Sequence, residues 1–121
     1  MATNFIAEGN SVAWTNGTGS AVSSGDVVEM SHTIGIAITD IADGATGTVA
    51  IEGVFNVPKV SAAVFSAGEK LIWDTSAGAF DDSSATPATG DITGGAIAAA
   101  DGANTETTCT VKLTPGNATL T

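Results

Sequence analysis

The sequence predicts an all-β fold, a small single-domain β-barrel or β-sandwich of short antiparallel strands with an extended N-terminal arm. Three observations carry that expectation. Bulky apolar residues alternate with small or polar ones at a period of two, most plainly where Ile34, Ile36 and Ile38 interleave with Thr33, Gly35, Ala37 and Thr39. The runs are short and punctuated by turn residues, at Asn16-Gly-Thr-Gly19, Gly25-Asp26, Asp43-Gly44 and Asp101-Gly102. The apolar content comes mainly from Ala, Val and Ile, with Thr, Ser and Gly around them. Such β-branched side chains suit a pleated surface better than a long helix.

The elements follow in chain order. Residues 1–9 read as the arm, leading into a first strand that reaches Trp14. A second strand covers residues 27–30 and a third covers 33–39, whose small face is suited to a closely packed layer. From Val49 the odd positions Val49, Ile51, Phe55 and Val57 keep one face, with Gly53 in the missing slot. A glycine inside a strand pattern predicts a bulge or sharp bend. Pro58 cannot donate to a ladder, so it ends this strand or sits at an edge.

Residues 61–67 fit either a helical turn or a short irregular strand, and Gly68 introduces a strand over 69–74. Residues 81–91 read as an acidic polar loop. Strands over 92–100 and 105–114 precede a flexible tail at 115–121. No fixed-period repeat interrupts this series, so residues 1–121 read as one β domain. A chain of 121 residues buries roughly two-thirds of its unfolded surface, enough for a modest core.

Charge narrows the partners. The net charge of −10 sets thirteen acids against Lys59, Lys70 and Lys112, and three scattered cations cannot track a phosphate backbone. No nucleic-acid partner is expected. The small-apolar run at 94–100 is too short to span a bilayer, so no membrane partner is expected either. The N-terminus lacks the basic start and apolar stretch of a signal peptide. Without secretion, the glycosylation triplets Asn16-Gly-Thr18 and Asn117-Ala-Thr119 read as chance matches.

Reactive groups are sparse. His32 is the one histidine and Cys109 the one cysteine. Cys109 shares a strand face with Val111 and Leu113 and reads as a buried structural thiol. His32 opens a strand with no nucleophile elbow nearby, and nothing in the sequence joins it to Cys109 as a dyad. Asp81, Asp82, Asp101, Asn104 and Glu106 offer oxygen ligands of the type calcium accepts, without the spacing of a calcium-binding loop. Beside Gly and Ser they read as turn formers. The phosphate-binding glycine-lysine loop is absent. The expectation is therefore no enzyme, no catalytic residue, no metal and no cofactor.

One stretch is more specific. It runs His32-Thr-Ile-Gly-Ile-Ala-Ile-Thr-Asp40, then Glu52-Gly-Val-Phe-Asn-Val-Pro-Lys59, then Gly68-Glu-Lys-Leu-Ile-Trp-Asp74. These motifs resemble the DUF2190-type family of bacteriophage capsid decoration (cement) proteins. The resemblance extends from the Ala2-Thr-Asn-Phe-Ile-Ala-Glu-Gly9 opening to Val111-Lys-Leu113; the Ser/Thr-rich stretch at 81–89 and the tail beyond Leu113 depart from it.

The resemblance implies a non-enzymatic virion structural protein, made in the bacterial host cytoplasm and added to the capsid exterior. It would bind the assembled head, bridge major capsid subunits and sit there as a homotrimer, its partners being the major capsid protein and itself. Within that reading Ala2, Thr3, Asn4, Phe5, Ile6, Ala7 and Glu8 form a capsid-contacting arm with Phe5 as apolar anchor. The competing reading of the arm is an edge strand of its own domain. The competing reading of the whole chain is a soluble or particle-displayed carbohydrate-binding β module using Trp14, with Trp73 assigned to the core.

Overall fold

In a computed structural model, which describes residues 3–121, the chain forms strands and turns with no helix among the described residues. Two antiparallel sheets face one another. The first contains β1 (Ser11–Thr15), β2 (Val27–Glu29), β3 (Ile34–Ala37) and β4 (Thr46–Ala50), in the order β1-β4-β3-β2. The second contains β5 (Val54–Pro58), β6 (Lys70–Asp74), β7 (Ala79–Asp81), β8 (Ile92–Ala98) and β9 (Thr108–Leu113). Its order is β5-β9-β8-β6-β7, and β10 (Thr119–Leu120) also pairs with β8. A parallel bridge between Lys59 and Phe80 joins the outer strands of this sheet at one point. The sheet curls without closing into a barrel, so the molecule is sandwich-like.

The alternation of β3 has a direct structural meaning. Ile34 and Ile36 enter the main core between the sheets, with Leu71, Trp73, Phe80, Ile92, Val111 and Leu113. Ala37, on the opposite face, joins a second cluster of Val28, Ile41 and Val49, against which Trp14, Val22 and Met30 pack. All four residues of β3 are buried. The small face is covered as its composition predicts: the second layer is the connection around Val22 and Ile41, held by the Val22–Ile41 bridge. Ile38 lies beyond β3 and is 49% exposed.

The continuous strand expected across Val49 to Val57 is instead two strands in two different sheets. β4 ends at Ala50, β5 begins at Val54, and Gly53 between them has φ +122°. That left-handed backbone suits glycine, and the predicted bend is here a corner where the chain changes sheets. A second irregularity had no counterpart in the sequence reading. Between Lys70↔Ile97 and Ile72↔Thr93 the β6–β8 register slips, and the surplus falls on Gly94-Gly95. Gly94 has φ +82°, and Thr114 Oγ1 donates to its carbonyl at 2.8 Å.

Residues 61–67 form an irregular turn with one bridge, Phe65 to Gly102, and no helical turn. Their anchor is Lys59, 3% exposed, whose ammonium donates to the carbonyls of Val60 at 2.9 Å and of Ser61 and Glu106 at 3.2 Å. Where the sequence reading places a flexible tail at 115–121, Thr119 and Leu120 pair with Thr93 and Ile92. Thr121 N also donates to Asp91 O at 2.9 Å.

Candidate functional site

The surface offers one segment set apart from the packed domain. Residues 3–10 precede β1, contain no strand and are exposed throughout. Phe5 is 62% exposed and Ile6 95% exposed, an unusual state for two adjacent large apolar side chains. Thr3, Asn4, Ala7 and Glu8 lie on the same exposed stretch; Ala2 falls outside the described residues. Among the described residues, the segment is backbone-bonded to the sheet at its end, where Ile51 N donates to Asn10 O at 3.0 Å. That bond continues the β1–β4 register of Ser11↔Ala50 and Thr15↔Thr46. β1 is the outer strand of the first sheet, so the arm leaves the domain at a sheet edge. Val12 on this strand is itself 36% exposed.

Further exposed apolar residues are Val54, Val64 and Leu120, at 59%, 58% and 41%. None adjoins a catalytic constellation. His32 is exposed in the β2–β3 turn of the first sheet, beside Ser31 with φ +71°, whereas Cys109 is buried in β9 of the second. Burial pushes the Cys109 thiol up to about 11, partly offset by the nearby Lys59 charge. A thiol so raised is a poor nucleophile at neutral pH. The sequence reading of Cys109 as a buried strand residue agrees with this geometry.

The acids are occupied with the backbone. Asp101 Oδ1 accepts Ala67 N–H at 2.8 Å, and Glu106 Oε1 accepts Ala103 N–H at 2.6 Å. Asp81 Oδ1 accepts the N–H of Asp82 at 2.9 Å. The Ser84 hydroxyl, with that residue's backbone N–H, holds the Asp82 carboxyl below the usual carboxylate range. Ser83 does the same for Glu69 through its backbone N–H and then its hydroxyl. Asp74 is lowered first by the Ser76 hydroxyl, then by the Ala77 N–H. Among the described residues no three His, Cys, Asp or Glu side chains gather as a metal-binding group. These contacts are turn chemistry.

Three buried polar residues escape a pattern-based reading. Lys59 is one, capping three carbonyls. Asp91, 5% exposed, is another, accepting Thr75 N–H at 3.1 Å and Ala88 N–H at 2.9 Å, so it pins the acidic loop to the β6–β7 turn. Asn16, 0% exposed, is the third. Its side-chain amide is consumed in the interior, which closes the Asn16-Gly-Thr18 triplet to glycosylation in the folded chain. The signal in the sequence was a polar residue beside Gly or Pro.

A cleft of about 280 Å³ opens between the sheets, lined by Val22, Gly25, Asp26, Val27, Pro58, Trp73 and Gly78. Its one ionisable group, Asp26, already accepts Ser23 N–H through Oδ2 at 3.0 Å. The cleft holds no nucleophile beside a base.

A family model described as phage cement protein matches residues 6–113. The chain belongs to the phage cement protein family. Phage cement proteins are structural and non-enzymatic, and membership makes this a capsid-stabilising component of the virion. No curated protein and no solved structure gives a significant match. No helix among the described residues is long and apolar enough to cross a membrane. The carbohydrate reading is not favoured for a cement protein built this way. Trp73 is 6% exposed with its indole N–H bound to Glu29, and Trp14 is half-buried against the second cluster.

Proposed function

We propose that this cement protein binds the outer surface of the assembled phage head and bridges neighbouring major capsid subunits, as a homotrimer. It is made in the host cytoplasm and joins the shell after assembly. The observation that carries this reading is the exposed arm. Residues 3–8 leave the free edge of the first sheet carrying Phe5 and Ile6, whose apolar surface is left mostly exposed. An extended segment of this kind can add itself to a neighbouring sheet edge while its side chains fill pockets. With Ala2 it forms the expected contact segment 2–8.

The mechanism is binding energy alone. A protein that binds the assembled shell better than free subunits stabilises the shell by mass action. The net charge of −10 keeps free copies mutually repulsive before they dock. Deleting residues 2–8 tests the contact, with head binding followed by sedimentation and the β fold by circular dichroism. The expected result is lost binding with the fold intact; unchanged binding overturns the arm assignment. Mass spectrometry of purified particles tests the wider reading. A copy number near that of the major capsid protein supports it, and absence from intact particles overturns it.

A further inference from the structure

We propose that Asn16 is a spontaneous deamidation site that the native fold holds inert and that, once reacted, bars the chain from refolding. Asn16 is the one asparagine in the sequence followed directly by glycine. Lacking a Cβ, Gly17 leaves its backbone nitrogen unshielded and its chain free to reach reactive geometries. The reaction is intramolecular. The deprotonated nitrogen of Gly17 attacks Asn16 Cγ, the N–Cγ bond forms, the Cγ–Nδ2 bond breaks, and ammonia leaves. Water then opens the resulting succinimide at either carbonyl, giving aspartate or isoaspartate at position 16.

The fold blocks the first step. Cγ must swing onto the Gly17 nitrogen, yet the amide is held at both ends. Nδ2 donates to Ser20 O at 2.8 Å and to Ile41 O at 3.0 Å. Oδ1 accepts Thr18 N–H at 3.0 Å and the Thr18 hydroxyl at 2.7 Å. The main chain is fixed as well, with Asn16 N donating to Ala45 O at 2.8 Å and Gly44 N donating to Asn16 O at 2.7 Å. Asn16 is 0% exposed, so the water that opens the ring is also excluded.

The same contacts reject the product. An aspartate has only acceptors when ionised, so it would turn a carboxylate oxygen towards the Ser20 and Ile41 carbonyls at a fully buried position. Isoaspartate lengthens the main chain by one methylene and moves the Asn16–Ala45 and Gly44–Asn16 bonds out of register. Copies that linger unfolded are thus withdrawn irreversibly, while folded copies do not age at this position.

The test incubates the purified full-length chain in native buffer and in guanidinium chloride at the same mildly alkaline pH, with peptide mapping by mass spectrometry over time. In denaturant, Asn16 converts first among the asparagines, and the refoldable fraction falls in step with its conversion. In native buffer Asn16 stays intact. Gly17→Ala is the decisive variant, because a Cβ there meets nothing within 4 Å and Gly17 is not among the glycines at positive φ. It should keep the wild-type Tm and remain refoldable through the same denatured incubation. Asn16→Asp should refold as poorly as the aged chain. Equal conversion of Asn16 in the native and denatured samples, or wild-type Tm and refolding yield for Asn16→Asp, would overturn the proposal.

Discussion

Trp73 Nε1 donates to Glu29 Oε1 at 2.8 Å, and this bond ties β6 of the second sheet to β2, the edge strand of the first sheet opposite β1. The indole is 6% exposed and meets Phe80 edge-on, with centroids 5.0 Å apart and planes at 65°. A buried indole N–H requires an acceptor, and here the acceptor comes from the opposing sheet. Glu29→Ala should therefore lower the unfolding free energy by about 1–3 kcal/mol, the cost of an unsatisfied buried donor. Glu29→Gln, which keeps an amide oxygen at that position, should recover much of the loss. Urea denaturation followed by tryptophan fluorescence reads both, and an Ala variant as stable as wild type would show that the bond contributes nothing.

Lys59 performs a related task inside one sheet. Its ammonium satisfies three carbonyls from residues 60, 61 and 106, and its charge lies 5.9 Å from the Phe65 ring centroid. Lys59→Met keeps the apolar stem and abandons all three acceptors. The expected loss is about 3 kcal/mol, since bonds to a charged donor are among the stronger ones. Lys59→Arg should not restore it, because a planar guanidinium cannot reproduce the three directions of an ammonium. Thermal denaturation distinguishes these outcomes: equal Tm values for the Lys59→Met variant and the wild type would contradict the capping role.

Much of this architecture was legible because strand periodicity reports local geometry. The Ile34–Ile36 face, Leu71 with Trp73, and Cys109 with Val111 and Leu113 all lie in the main core. What was not legible depended on contacts between distant parts of the chain. β7 has three residues and β10 two, too few for a period to emerge, and both exist through pairing with β6 and β8. The Gly53 signal marked a bend correctly, but a single sequence does not say that the chain changes sheets there. Lys59 had only its neighbour Pro58 as a sign, because its partners are main-chain carbonyls, which carry no sequence signature. For the arm, the family resemblance implied Phe5 as an anchor, and the 62% exposure of that side chain is what motivates the proposed partner.

The Gly94-Gly95 pair yields a packing test. A Cβ at position 95 would lie 2.9 Å from Ile34 Cγ1 and 3.3 Å from its Cδ1, so the bulge of β8 makes room for a side chain from the facing sheet. Gly95→Ala should destabilise by about 1–3 kcal/mol through overpacking. Ile34→Ala in the same chain removes both contacting atoms, Cγ1 and Cδ1, and should relieve part of that loss, giving a double-mutant coupling of opposite sign to the single effects. Strict additivity of the two changes in urea denaturation would show that Ile34 is not what Gly95 accommodates.

Cys109 gives stability a defined alkaline limb. Burial raises its thiol from 9.0 in the unfolded reference to about 11 in the folded chain. Between those values the unfolded chain ionises the thiol while the native chain keeps it protonated. The unfolded state then binds fewer protons, so stability must fall as pH rises. The contribution is fully present below pH 9 and is lost as the pH climbs through about 11. Cys109→Ala removes this titration at the cost of a small cavity, which lowers stability at neutral pH. Its stability should therefore decline less steeply than that of the wild type over the same alkaline range. The two chains differ at this residue alone, so the difference between the two pH profiles isolates the thiol. Parallel profiles would contradict a buried, protonated Cys109, as would alkylation by iodoacetamide in native buffer at a rate matching the denatured chain.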